Sequence, residues 1–461
     1  MPAGNDDLRR RLRRIDRLRE AKALALTLPA LLFLVVALIA PLVFFMSRAV
    51  DNTDLTDHLP RTSRAMSGWD GQGLPPDTLQ QSLVDELSGL AGTPGLAVLA
   101  RRLNYQEPGY RSLIQKTANG LRAGGAGTAA ERLTAIDTRW AEPPIWQTLR
   151  QESGRWTSFF MLAAIDLKKD TEGTIASAPP ERAIYQRVFA RTFIASLAVT
   201  LICLVLGYAT AYALLRLRTR LGRIALLVIL ISLWTSLLVR TLAWIIILQK
   251  NGVLNSALMS AGILDEPVQF IRTWFAVILA MVHLLLPLMI LPILAVMRGI
   301  PPSYMRAAQS LGAAPIRAFW SVYLPLTYPG IGAGVVLVAT TSLGFFITPE
   351  LLGGPEHQMI SYFVAFFTNM SVNWGLASAL GVWLFVITIA MFAGVARGFG
   401  ITRIKPWHHR LAAPRGKRLP QPDPCRHAGL PAAADPVRHP FVAQRRRLLH
   451  LSDAGPVLAL V

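Results

Sequence analysis

The residues from Arg306 to Pro325 have types and spacing suited to work, and the work they suit is mechanical rather than covalent. They read Arg306-Ala307-Ala308-Gln-Ser-Leu-Gly312-Ala-Ala-Pro-Ile-Arg-Ala-Phe-Trp-Ser-Val322-Tyr-Leu324-Pro325. The stretch is Ala-rich and polar enough to be helical, with a glycine between two short arms. Gly312 accepts backbone geometry that other residues resist, and it lets a neighbour approach closely. Ala307 and Ala308 keep the first arm thin enough to enter a groove. Pro325 either ends the second arm or sits in the first turn of the element that follows. Signals for covalent chemistry are absent. No Gly-x4-Gly-Lys-Ser/Thr phosphate loop occurs, so the chain is not expected to hydrolyse ATP or to be an enzyme. No Ser/His/Asp arrangement stands in a nucleophile's context, and His408-His409 has no companions at metal-ligand spacing. No cofactor and no metal are expected.

The elements that must hold this stretch are long apolar runs. The chain has 461 residues, 52% of them hydrophobic and 16% charged, with a mean hydropathy of +0.41. Soluble domains carry about a quarter charged residues, so the composition predicts an all-α polytopic membrane protein. Six spans follow from length and hydropathy: residues 23–46, 192–215, 224–248, 274–297, 330–352 and 376–396. A net charge of +20 would suggest nucleic acid in a soluble protein. Here the basic residues flank the apolar runs or lie in a tail, and topology explains them without nucleic acid. The cluster in residues 1–22, the short loop Arg216–Arg223, the loop with Arg298, Arg306 and Arg317, and Arg397–Arg410 all fall on one side. Positive residues stay inside, which predicts cytoplasmic N- and C-termini and a cytoplasmic 298–330 loop.

Residues 47–188 form a long extracytoplasmic insert with helical patches at Asp77–Leu90 and Pro144–Leu167. Within the second patch, Trp156–Ile165 is apolar but about half the length of a span, and is expected as a buried or interfacial helix. From about Pro406 the composition turns to Pro, Arg and His. Residues 406–461 are either a disordered cytoplasmic tail or the product of a shifted reading frame. Two cysteines, Cys203 and Cys425, cannot make a disulfide framework. Arg240 lies inside an apolar run, where a charge is costly and functional by default. The alternative is that it snorkels to the outer interface. His283 reads as a packing or hydrogen-bonded residue, and Pro287 and Pro292 as helix-bending positions in the same span.

The Arg306 stretch resembles the "EAA" loop of permease subunits in binding-protein-dependent ABC importers. That pattern is Glu-Ala-Ala, three residues, Gly, nine residues, Ile, one residue, Leu-Pro. Ala307, Ala308, Gly312, Val322 in the Ile place, Leu324 and Pro325 match it, and Arg306 departs by standing where the family has Glu. Further motifs resemble the spermidine/putrescine branch: Arg240-Thr-Leu-Ala-Trp244 with Asn251-Gly252-Val-Leu-Asn255, then Gly344-Phe-Phe-Ile-Thr-Pro349-Glu350-Leu-Leu-Gly353-Gly354, and Asn373-Trp374-Gly-Leu-Ala.

The resemblance implies a type I ABC importer permease fold. Its core would be residues 189–405 with five of the six spans, in a bacterial inner membrane. It implies that residues 306–325 couple to cytoplasmic ABC ATPase subunits. Arg240, Trp244, Pro349 and Glu350 would lie in the translocation path or its outer gate. The expected partners are the ATPases, a second permease subunit, a soluble substrate-binding protein and the lipid bilayer. The substrate implied first is a small amine such as a polyamine, with an opine or other small organic solute as the alternative. From a different class, one span followed by a long outer segment also describes a membrane receptor with 47–188 as its sensor. A secondary transporter would show acidic residues near the midplane, and these spans offer none.

Overall fold

The computed structural model describes residues 3–170, 173–217 and 219–398, with the side chains of 3–21, 23, 24 and 219 outside the description. The tail 406–461, with His408, His409 and Cys425, lies outside the described residues, as do the side chains of the N-terminal basic cluster.

Six helices among the described residues are long and apolar enough to cross a membrane: Ala25–Ser47, Tyr185–Arg216, Leu237–Ser260, Trp274–Arg298, Pro315–Leu343 and Trp374–Gly398. The fourth, Trp274–Arg298, is the axis of the bundle. It is the most buried span, and the second and fifth spans pack along it. Small residues permit that approach. A side-chain carbon added at Gly207 would lie 2.7 Å from Met289 Cγ, and one at Gly334 2.7 Å from Met289 Sδ. One at Gly330 would lie 3.0 Å from the Pro292 carbonyl oxygen. In lipid, where apolar surface gains nothing by leaving the solvent, such close packing is the main attraction between helices. Gly334→Val should therefore force the fourth and fifth spans apart at a cost of about 1–3 kcal/mol. The expected readout is a lower melting temperature of the detergent-purified protein.

Two expected spans need correction. The run 224–248 is not one helix. A helix Thr219–Trp234 stops, and a second, Leu237–Leu248, starts after Ser236 in an extended conformation. Thr235 Oγ1 donates to the Ser232 carbonyl. Such local side-chain bonds compete with the helical ladder, and hydropathy does not register them. The third span is consequently Leu237–Ser260, which carries a turn at residues 249–252. The fifth span is displaced likewise. It was expected at 330–352, but its helix begins at Pro315 and ends at Leu343. Gly344 closes it, and a separate short helix Ile347–Leu352 follows. The second span also begins earlier than the hydropathy suggests, at Tyr185.

The segment between the first two spans folds around a hydrophobic core of its own. The helices Asp77–Leu90, Pro94–Gln106 and Tyr110–Arg122 surround Trp140 and Trp146, which are almost fully buried with ring centroids 5.1 Å apart. Each indole finds a partner: Trp140 Nε1 donates to Thr117 Oγ1 at 2.8 Å and Trp146 Nε1 to the Trp140 carbonyl at 2.9 Å. Asp77–Leu90 is helical as expected. The patch 144–167 is not continuous: a helix Pro143–Gln151 and a short one, Phe159–Ala163, are separated by an irregular stretch. Trp156 is exposed there rather than buried. Asn52 explains the break, since its Nδ2 takes the carbonyls of Glu152 and Gly154 out of any helix. The antiparallel hairpin Leu167–Lys169 with Ile175–Ser177 is a small addition to the helices that dominate the described residues.

Two contacts tie this segment to the spans. Phe160 seats on Gly375, where an added side-chain carbon would lie 2.4 Å from the ring, so only glycine fits. Trp383 Nε1 donates to the Met161 carbonyl at 3.1 Å. The first span packs mainly on the sixth, where Phe45 meets Trp374 edge-on at 6.4 Å and Ser378 Oγ donates to the Phe45 carbonyl at 2.6 Å.

Candidate functional site

The 306–325 stretch forms two arms at one end of the fourth span. The first arm is the helix Ser303–Ser310, which carries Arg306, Ala307 and Ala308, and none of its residues is buried. It ends in a Schellman motif: Ala313 N–H donates to the Ala308 carbonyl at 3.1 Å and Gly312 N–H to the Gln309 carbonyl at 2.9 Å. Gly312 stands at the left-handed position with φ of +89°. This geometry is what makes glycine the residue of choice just beyond a helix. No atom lies within 4 Å of where a side chain there would begin, so the requirement is conformational rather than steric.

The second arm starts at Pro315 and continues without a break into the fifth span. Pro325 therefore does not end it. A proline inside a helix lacks the N–H for the carbonyl four residues back and clashes with it. The chain avoids this with a wider turn over Phe319–Tyr323, in which Leu324 N–H donates to the Phe319 carbonyl five residues earlier. Pro325 then occupies the first turn of the fifth-span helix. Val322 and Leu324 are half-buried on this arm, while Pro325 is exposed.

An aromatic cluster that sequence reasoning missed anchors the second arm. Phe319 packs against Tyr212 at 5.7 Å, Tyr208 at 6.3 Å and Tyr323 at 5.8 Å. The four-residue spacing of Tyr208–Tyr212 and of Phe319–Tyr323 puts each pair on one helix face, which was the available signal. Beyond the anchor, Leu311 is 90%, Ile316 75% and Trp320 63% exposed. Three large apolar side chains on a polar elbow form a surface suited to a protein partner.

The second set of residues gathers around the third span. Arg240 and Trp244, one turn apart, lie on the same face of Leu237–Leu248. Trp244 Nε1 donates to His283 Nδ1 of the fourth span at 3.2 Å, so His283 is hydrogen-bonded as expected. Thr241 and Thr348 meet through their hydroxyls at 3.2 Å and bring the helix Ile347–Leu352 alongside. Of its residues, Pro349 is buried and Glu350 exposed. Arg240 and Glu350 do not pair: Nε and Nη1 of Arg240 are buried without a hydrogen-bond partner among the described residues. Asn255 also emerges here. Its amide donates to the carbonyls of Gln249 and Val268 and accepts from Val268 N–H, which pins the loop after the third span. A buried amide in an apolar helix was the signal for that role.

Residues 203–403, which contain the elbow and the third to sixth spans, match the family described as binding-protein-dependent transport system inner membrane component. The spermidine/putrescine transport system permease protein PotB of Haemophilus influenzae is 35% identical over 188 residues, covering 41% of this chain and 66% of that one. PotB of Escherichia coli (strain K12) is 32% identical over 205 residues, covering 44% of this chain and 74% of that one. The chain belongs to this family. It spans about two thirds to three quarters of the length of these relatives. A solved bacterial ABC transporter that imports alginate matches more distantly, at 18% identity and a TM-score of 0.43, over 48% of this chain and 80% of that one. The protein is thus a multi-pass inner-membrane permease, and the receptor alternative is not favoured. The permease's 47–188 segment and first span lie outside the matched residues.

Proposed function

We propose that this permease subunit forms part of the path by which a polyamine, spermidine or putrescine, enters the cell. The observation that carries the reading is the 32–35% identity to the two PotB proteins, over 188 and 205 residues. The N- and C-termini and the elbow face the cytoplasm, because the short basic connections all fall on that side. ATP is hydrolysed on separate ATPase subunits, in keeping with the lack of a phosphate loop in this sequence. The exposed Leu311, Ile316 and Trp320 meet those subunits, and Arg306 adds a positive charge to the same surface. A soluble binding protein delivers the substrate from outside, and a second permease subunit completes the path around Arg240, Trp244, Pro349 and Glu350. Closure of the ATPases pulls on the elbow and moves packed helices as rigid bodies.

The test is uptake of radiolabelled spermidine, putrescine and an opine by cells expressing the complete set of subunits. Accumulation of a polyamine at least tenfold above a strain lacking the permease is expected. Uptake of the opine alone would overturn the substrate assignment while leaving the permease role intact.

A further inference from the structure

A cavity of about 310 Å³ lies where the 47–188 segment meets the ends of the first and sixth spans. Its wall combines aromatic rings, among them Phe160 and Trp374, with charged groups of both signs. Three of the five charged residues in the wall are already matched. Arg48 pairs with Asp51 at 2.7 Å, and Arg102, 1% exposed, pairs with Glu152 at 2.6 Å behind the wall. Asp54 and Arg101 remain, and among the described residues neither has an ion-pair partner.

Two buried polar atoms of the same wall are unsatisfied. Arg102 Nη1 and the Tyr105 hydroxyl have no hydrogen-bond partner among the described residues. The rest of the Arg102 guanidinium is fully engaged: Nη2 on Glu152, Nε on Asn52 at 3.0 Å, and its plane against Phe159 and Phe160 at 5.2 and 4.8 Å. It is a fixed donor with one N–H group left over. Burial raises the pKa of the Tyr105 hydroxyl, and the charges of Arg101, Asp54 and Arg102 all act on it. All four residues line the cavity. An unpaired buried donor costs about 1–3 kcal/mol, and such a group in an aromatic-lined cavity marks a binding site.

We propose that this cavity binds a small zwitterion of the α-amino-acid type. Its carboxylate would lie between Arg101, Arg102 Nη1 and the Tyr105 hydroxyl, its ammonium on Asp54, and its apolar part against Phe160 and Trp374. A carboxylate accepts several N–H and O–H donors at once, which uses both orphaned atoms. The balance of one free cation and one free anion disfavours a diamine and a dicarboxylate alike. The site is separate from the elbow and from the Arg240 group, and does not depend on which substrate is transported.

The experiment uses the purified full-length chain in nanodiscs with radiolabelled L-glutamine as the probe. Unlabelled glutamine, succinate and putrescine compete, and the variants Asp54→Asn, Arg101→Gln and Tyr105→Phe are compared. Asp54 is exposed and Arg101 half-exposed, so their loss should leave the fold unchanged, with unaltered melting temperatures as the control. Saturable glutamine binding is expected, weakened at least tenfold in Asp54→Asn and Arg101→Gln and several-fold in Tyr105→Phe. Succinate and putrescine should each compete at least tenfold less well than glutamine. Absence of saturable glutamine binding, undiminished binding in any of the three variants, or equal competition by succinate or putrescine would overturn the proposal. Polyamine uptake by the assembled importer is a separate measurement, so failure here leaves the transport reading standing.

Discussion

Gly312→Val should abolish transport while leaving the protein inserted and folded. Gly312 occupies the left-handed region at φ of +89°. That conformation costs an L-residue roughly 1–2 kcal/mol, and a branched side chain more. Valine would escape the strain by rotating the backbone, which breaks the two hydrogen bonds from Gly312 and Ala313 that close the first arm. The arm carrying Arg306, Ala307 and Ala308 would then point elsewhere. Since about 1.4 kcal/mol is a factor of ten in rate, uptake should fall at least tenfold. The open space around the position means no steric damage to the spans, so yield and melting temperature should match the parent. Gly312→Asn is the control, because asparagine tolerates the left-handed region best after glycine; it should keep most of the activity. Normal uptake by the valine variant would remove the elbow from the mechanism.

The largest effect on stability is expected from Glu152→Leu. Arg102 is buried under two aromatic rings, and burial pulls its pKa down against the opposing charge of Glu152. Removing that carboxylate strands a guanidinium out of water. Breaking one side of a buried pair costs about 3–5 kcal/mol. Thr157 loses its acceptor as well, since its hydroxyl donates to Glu152 Oε2 at 2.6 Å. The expected result is a large drop in the temperature at which the 47–188 segment becomes protease-sensitive. The double variant Arg102→Met with Glu152→Leu should recover much of the loss, because an apolar pair of similar volume carries no desolvation penalty. A double variant as unstable as the single one would show that the lost bonds to Asn52 Oδ1 and from the Thr157 hydroxyl dominate instead.

Much of the bundle was legible because a span is defined by length and hydropathy, both of which are printed in the chain. The fourth span, Trp274–Arg298, begins and ends within a residue of its expected limits. The failures have a common cause. At Thr235–Ser236 and at Gly344 the apolar run continues while the backbone turns, and hydropathy weighs side chains rather than backbone. The elbow was readable through Gly312, whose type reports its conformation directly. Its anchor was not, because Tyr212 and Phe319 are distant in sequence and meet only after the second and fifth spans pack. The break after Gln151 was hidden for the same reason, since it depends on Asn52 a hundred residues away.

The pairing of Ser378 with Phe45 spans 333 positions of the chain. A ribosome delivers the first span long before its principal neighbour exists, so the earliest membrane helix must wait alone among lipids until the last one arrives. Nascent chains halted before Trp374 should therefore leave the first helix free to diffuse from the rest, and an exposed Phe160 ring should signal incomplete assembly to the cell's quality-control proteases.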